Sequence, residues 1–166
     1  IKDPKTASPY AGDLKAIDEV KIIDDHTVQM ELKYPFPNLL FNLSNTASGI
    51  QKAGCYEEYG EYYGIKTVMG TGPFMFKQWV RGDRIVLVKN PDYNWGPEWM
   101  SNRGPALFDE LVIRTIPEES SRIMELITGG VHVLRDVPPL QADKLKENPD
   151  INLFIDQSTR LGYLAY

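Results

Sequence analysis

The groups able to do chemistry in this chain stand apart from one another. It has two histidines and one cysteine, His26, His132 and Cys55. A zinc-type centre gathers three or four such ligands at short spacing, and none are gathered here, so no metal is expected. Nucleophilic catalysis needs a serine or cysteine beside a histidine held by a carboxylate, and no nucleophile-elbow pattern surrounds Ser8, Ser44, Ser48 or Ser120. Asp24-Asp25 and Glu118-Glu119 are adjacent carboxylates, but sequence neighbours point to different faces and make poor acid/base dyads. They read as a turn and a helix start. Gly70-Thr71-Gly72 has the look of a phosphate loop, yet Pro73 removes a donor and a strand follows where the anion-binding helix should begin. It reads as a structural turn. The residues therefore point away from an enzyme and away from a resident cofactor.

Two aromatic groups offer binding surface instead. Tyr56, Tyr59, Tyr62 and Tyr63 recur at helical spacing, and Trp95 and Trp99 share one proline-rich segment. Both could stack on a ligand, but the expectation is packing for the tyrosines and anchoring of their own loop for the tryptophans.

The elements that must position these groups follow from periodicity. Ile17 to Ile23 and the alternating Thr27 to Leu32 flank Asp24-Asp25-His26, which predicts an antiparallel hairpin with Val28, Met30 and Leu32 on a covered face. After Pro35 and Pro37, Leu39, Leu40 and Leu43 predict a short helix packing back on that hairpin and ending at Ser44-Asn45. A second hairpin, Phe74 to Trp79 and Ile85 to Val88, turns at Arg81-Gly82-Asp83. Asn90 to Pro105 reads as a long ordered loop. Leu111 to Ile116 is a strand, and Pro117-Glu118-Glu119 opens a helix whose buried stripe is Ile123, Met124, Leu126 and Ile127. Gly129-Gly130 ends it. Val131 to Leu134 is expected as a short strand, Pro138-Pro139 as the start of another helix, and Ile151 to Ile155 and Leu161 to Tyr166 as final strands.

Composition sets the bounds. The chain has 166 residues, 42% of them hydrophobic and 25% charged, which is enough apolar material for a core in one domain over 1–166. Its 18 basic and 23 acidic residues give a net charge of −5 with no Lys/Arg cluster, which argues against nucleic acid as a partner. No apolar run reaches membrane-spanning length, and Ile1-Lys2-Asp3-Pro4 lacks signal-peptide character. The last expected strand runs to Tyr166 without a polar tail, which predicts a fragment of something longer. Cys55 alone does not decide the compartment.

The run Val68-Met69-Gly70-Thr71-Gly72-Pro73-Phe74, then Trp79, Gly82-Asp83-Arg84-Ile85 and Lys89-Asn90-Pro91-Asp92-Tyr93, resembles the signature of family 5 extracellular solute-binding proteins, the dipeptide and oligopeptide receptors of ABC importers. The likeness continues through Asp24 to Val28, Leu32 to Phe36, Phe108-Asp109, Ile116-Pro117-Glu118, Leu126 to Gly130 and Gly162 to Tyr166. Two departures stand out: His132 replaces a common aspartate, and Gly54 to Gly64 is unusually rich in tyrosine.

The resemblance implies an α/β (α+β) fold, a mixed and largely antiparallel sheet with short helices, forming part of the first lobe of a two-lobed type II periplasmic binding protein. It implies a monomer outside the cytoplasm, periplasmic or lipid-anchored, that binds short peptides and delivers them to ABC permease subunits. Nickel complexes, haem, opines and oligosaccharides are alternative cargoes within that family, and a non-catalytic β-rich interaction module is the alternative outside it. It also implies that Asn45, Thr46, Ala47 and Ser48 approach the ligand, with Asn45, Thr46 and Ser48 as its hydrogen-bonding side chains.

Overall fold

The computed structural model describes residues 8–156, so the expected strand over Leu161 to Tyr166 lies outside the described residues. The chain divides between Ile113 and Arg114 into two compact units.

In the first unit a 3-10 turn, Ala11–Leu14, leads into an antiparallel hairpin of β1 (Ile17–Asp24) and β2 (Thr27–Leu32). The Asp24 carboxylate closes the turn by accepting the His26 backbone N–H at 2.8 Å. On one face Glu19 stands opposite Glu31, a like-charge pair that would repel. Lys21 Nζ offsets it, lying 3.2 Å from Glu19 and 2.6 Å from Glu31. The other face carries the cross-strand pairs Val20/Met30 and Ile22/Val28. The alternation is as expected but the covering is not: Val20, Ile22, Val28, Met30 and Leu32 are all exposed, Ile22 at 82%. Strand pairing satisfies the backbone of a two-stranded ribbon but buries neither face. Burial in this part of the unit is confined to Leu14, Ala16 and Ile17, at the base of the hairpin.

Helix α1 (Leu39–Leu43) is as short as expected and ends at Ser44. It is tied to the turn ahead of β1 by Asn42 Nδ2, which donates to the Asp13 carbonyl at 2.7 Å, while Leu40 and Phe41 stay exposed. The tyrosine-rich stretch forms one short helix, α2 (Cys55–Tyr59), whose first residue, Cys55, is buried, and a 3-10 turn, Gly60–Tyr62.

Strands β3 (Phe74–Val80), β4 (Arg84–Lys89) and β5 (Glu110–Arg114) form a sheet in the order β3-β4-β5, β3 and β4 antiparallel. Gly82 makes their turn at φ 76°, a conformation that costs a side chain about 1–2 kcal/mol. Val86 is buried, and Lys77 reaches Glu110 at 2.7 Å. The segment from Asn90 to Pro105 has no regular element, as expected, and is held at several points. Asn90 donates through its backbone N–H to the Pro73 carbonyl (2.9 Å) and through Nδ2 to that of Gly72 (3.0 Å). Trp95 Nε1 donates to the Thr71 carbonyl at 3.0 Å and its ring lies 5.1 Å from that of Tyr93. Gly96 and Arg103 pair through backbone and side chain, so closely that a Cβ on Gly96 would come within 2.7 Å of the Arg103 Cα. Trp99 corrects the expectation: at 81% exposure it anchors nothing.

In the second unit α3 (Glu119–Ile127) is N-capped by Glu118, which accepts from the Ser120 and Ser121 backbone N–H groups. Those two serines, Ser121 foremost, hold the Glu118 carboxyl down to about 2. Of the expected stripe only Ile123 is buried and Leu126 half-buried, whereas Met124 and Ile127 are exposed. Arg114 clamps the helix through Glu125 at 2.7 Å, and Gly129, at φ 77°, ends it. Helix α4 (Pro139–Lys146) begins on a proline as predicted and buries Leu145. Val131 to Leu134 and Ile151 to Ile155 are not strands. Their β-branched and alternating composition is strand-like, but a strand exists only through a partner edge, and neither has one among the described residues. The fold class stands as read: a mixed α/β chain with antiparallel strand pairs and short helices.

Candidate functional site

The segment singled out for ligand contact is a 3-10 turn, Thr46–Ser48, with Asn45 as its N-cap. Asn45 sits there because its side chain replaces a backbone partner: Oδ1 accepts the Ala47 N–H at 3.1 Å and the Thr46 hydroxyl at 3.3 Å. Ser48 Oγ donates to the Asn42 carbonyl at 3.2 Å, which ties the turn to α1. Downstream the chain runs extended into an antiparallel bridge between Gln51 and Gly70, supported by the Lys52 N–H donating to the Met69 carbonyl at 3.1 Å. The turn is thereby joined to Gly70-Thr71-Gly72-Pro73, itself held by Asn90 and Trp95.

Asn45 and Thr46 are exposed, Ala47 and Ser48 half-buried. Asn45 Oδ1 and the Ser48 hydroxyl hydrogen are spent locally. Asn45 Nδ2 has no partner among the described residues, and the serine oxygen keeps its acceptor capacity. The stretch carries no titratable group. Such a stretch has the groups to hydrogen-bond a neutral amide or carbonyl.

Groups with shifted titration lie elsewhere and are structural. The backbone N–H of His26 and the Thr27 hydroxyl hold Asp24 below the usual carboxylate range. Lys89 does the same to Asp109, at 2.6 Å. Glu58 pushes the Tyr59 hydroxyl up. Among the described residues no three His, Cys, Asp or Glu side chains gather as metal ligands.

The Gly-Thr-Gly turn has the structural role expected of it, and it holds that role without a left-handed glycine. Neither Gly70 nor Gly72 has a positive φ, and a Cβ at Gly72 would meet nothing within 4 Å. Strain therefore gives no account of Gly72; what distinguishes the turn is that three successive carbonyls, of Thr71, Gly72 and Pro73, accept from Trp95 and Asn90.

Asn45, Thr46 and Ser48 line neither of two cavities formed by the described residues. In the first unit a shallow pocket of about 320 Å³ opens between Phe74, Tyr93, Met100 and Phe108. In the second unit a concavity of about 1070 Å³ is walled by residues such as Leu126, Val137, Leu145 and Leu153. Asp136, on its wall, is a residue that sequence reasoning passed over: at φ 61° it is the one non-glycine left-handed residue among those described. Aspartate tolerates that conformation, which leaves little trace in a sequence.

The profile of the bacterial extracellular solute-binding proteins, family 5 Middle, matches residues 1–166. The chain belongs to this family. The family is one of binding proteins rather than enzymes, and its name places it outside the cytoplasm. The probable D,D-dipeptide-binding periplasmic protein DdpA of Escherichia coli K12 is 30% identical over 162 residues, 95% of this chain and 29% of the relative. Among solved structures, the periplasmic binding protein DppA from Helicobacter pylori, in complex with the peptide STSA, is 30% identical with a TM-score of 0.70 over 83% of this chain and 26% of its own. AgaA from A. tumefacien R10, in complex with agropinic acid, is 26% identical with a TM-score of 0.78 over 89% of this chain and 28% of its own. The chain thus spans under a third of the length of these relatives. No described helix of this family 5 chain is long and apolar enough to cross a membrane.

Proposed function

We propose that the protein to which these residues belong is the extracytoplasmic receptor of an ABC importer and that its cargo is a short peptide. The observation carrying this is the family 5 profile running through all 166 residues, joined by relatives named for dipeptides and for di- and tripeptides. The 166 residues are read as a first-lobe segment, and capture as closure of two lobes, which excludes water and strengthens every hydrogen bond made to the cargo. Asn45, Thr46 and Ser48 contribute uncharged contacts to the peptide backbone. Such contacts suit a receptor that accepts varied side chains, because they read the amide groups common to all peptides. The receptor works as a monomer with permease subunits, in the periplasm or lipid-anchored, and without a cofactor.

The second reading is an opine cargo, favoured by the likeness to AgaA bound to agropinic acid. Titration calorimetry of the full-length protein with di- to pentapeptides separates the two. Saturable heat with peptides is expected; heat only with an opine, or with neither, overturns the peptide reading. The Asn45→Ala variant should weaken peptide binding about threefold to tenfold, the worth of one neutral hydrogen bond.

A further inference from the structure

We propose that Asn42 is the positioning residue of the cargo turn: it touches no cargo itself but fixes where Asn45, Thr46 and Ser48 stand by tying them to the base of the first hairpin. The inference rests on the reading that these three residues contact the peptide.

Three observations carry it. The stretch Thr46–Ser48 is a single turn of 3-10 helix, a conformation with poor hydrogen-bond geometry of its own, so its place is set by what it hangs from. Toward α1 it hangs from one atom. The Asn42 carbonyl accepts the Asn45 backbone N–H and the Ser48 hydroxyl, each at 3.2 Å, and so takes hold of the turn at both of its ends. The side chain of the same residue continues the tie, with Nδ2 donating to the Asp13 carbonyl at 2.7 Å. Asp13 lies in the 3-10 turn Ala11–Leu14, beside the buried Leu14 and just ahead of the buried Ala16 and Ile17.

Asn42 thus joins a polar surface turn to the base of β1 through its backbone oxygen on one side and its amide nitrogen on the other. Hydrogen bonds weaken steeply when misaligned, so a displacement of about 0.5 Å at Asn45 and Ser48 is enough to weaken what they offer a peptide. The role needs a donor at this position, because the Asp13 carbonyl can only accept.

The test uses the full-length protein and whichever di- to pentapeptide gives it the largest heat. Two readouts are taken on Asn42→Ala: peptide affinity by calorimetry, and hydrogen exchange of the Asn45, Ala47 and Ser48 amides without peptide. Exchange about tenfold faster and affinity about threefold to tenfold weaker are expected. Asn42→Asp supplies a readout that a residue serving the fold alone would not move. Its carboxylate has no donor for the Asp13 carbonyl at neutral pH and regains one on protonation, so its affinity relative to the unaltered protein should recover about threefold between about pH 7 and about pH 4. That comparison answers the question alone should Asn42→Ala not fold. Unchanged exchange at the three amides overturns the proposal, as does a lowered melting temperature with unchanged affinity while Asn45→Ala weakens binding. Should neither variant change affinity while exchange still accelerates, the reading of the turn as a cargo contact falls, and Asn42 stands as the residue that holds the turn in place.

Discussion

The first unit contains two antiparallel ribbons, β1–β2 and β3–β4, both closed by short polar turns, the first with an alternating strand, Thr27 to Leu32, and the second with an unbroken apolar run, Ile85-Val86-Leu87-Val88. In β4, Val86 is 6% exposed and the residues from Ile85 to Lys89 are at least half-buried; in β1, Ile22 is 82% exposed and its partner Val28 is exposed as well. What separates them is their surroundings. β3–β4 gains a third strand, β5, and a clasped loop, Asn90 to Pro105, whereas among the described residues of this unit burial beside β1–β2 is confined to Leu14, Ala16 and Ile17 at its base. Alternation tells which side of a ribbon wants to be dry. Whether it becomes dry depends on chain elsewhere.

The comparison can be broken most directly by an aspartate on each ribbon. In the 166-residue chain Val86→Asp should cost about 3 to 5 kcal/mol, the penalty for an unpaired buried charge, while Ile22→Asp should stay within about 0.5 kcal/mol. Urea melts followed by tryptophan fluorescence measure both, and equal costs would erase the distinction.

Next in size is the turn of the covered ribbon. Gly82→Val should cost about 1 to 2 kcal/mol because φ is 76°, whereas Gly72→Ala should fall within about 0.5 kcal/mol because its Cβ enters open space. Comparable melting temperatures for the two variants would contradict this account of the glycines. The clasp comes third: Asn90→Ala removes the donor to Gly72 and should cost about 1 kcal/mol, and Trp95→Phe, which keeps a ring against Tyr93 but loses the Nε1–H, about half of that.

The smallest effect belongs to the second unit. Glu118 is held at about 2 against an ordinary 4.5, so its capping stabilises at any pH above about 4.5 and is lost as pH falls from there toward 2. Glu118→Gln should flatten the acid limb of a thermal-stability profile over that window and leave the neutral side parallel. An unchanged acid slope would dissociate the carboxylate from the cap.

Both hairpins, α1, the start of α3 at Pro117-Glu118, its stop at Gly129 and the proline start of α4 were legible because local chemistry decides them: alternation, capping and turn residues act within a few positions. Burial was not. Met124, Ile127 and Val28 have the right spacing for a core, but spacing says only that they share a face. Val131 to Leu134 and Ile151 to Ile155 have strand composition, and a ladder depends on a partner that their own residues do not encode. The site was the least legible. Asn45, Thr46 and Ser48 are ordinary helix-ending residues singled out through the family likeness, and Asp136 shows itself only in its backbone angle.

The paired Gly96 and Arg103 have one more effect. They fasten the loop to itself seven residues apart, and Asn90 fastens its start to the sheet, so the exposed tip around Trp99 is tethered on both sides without strain on the covalent chain between. A cut by a chymotrypsin-type protease after Trp99 would sever the polypeptide between β4 and β5, which are neighbours in one sheet, so their pairing should keep the pieces together. Residues on either side of the nick would stay bound as a two-chain complex, making this tip a natural place to split the protein into complementing halves or to insert a foreign domain.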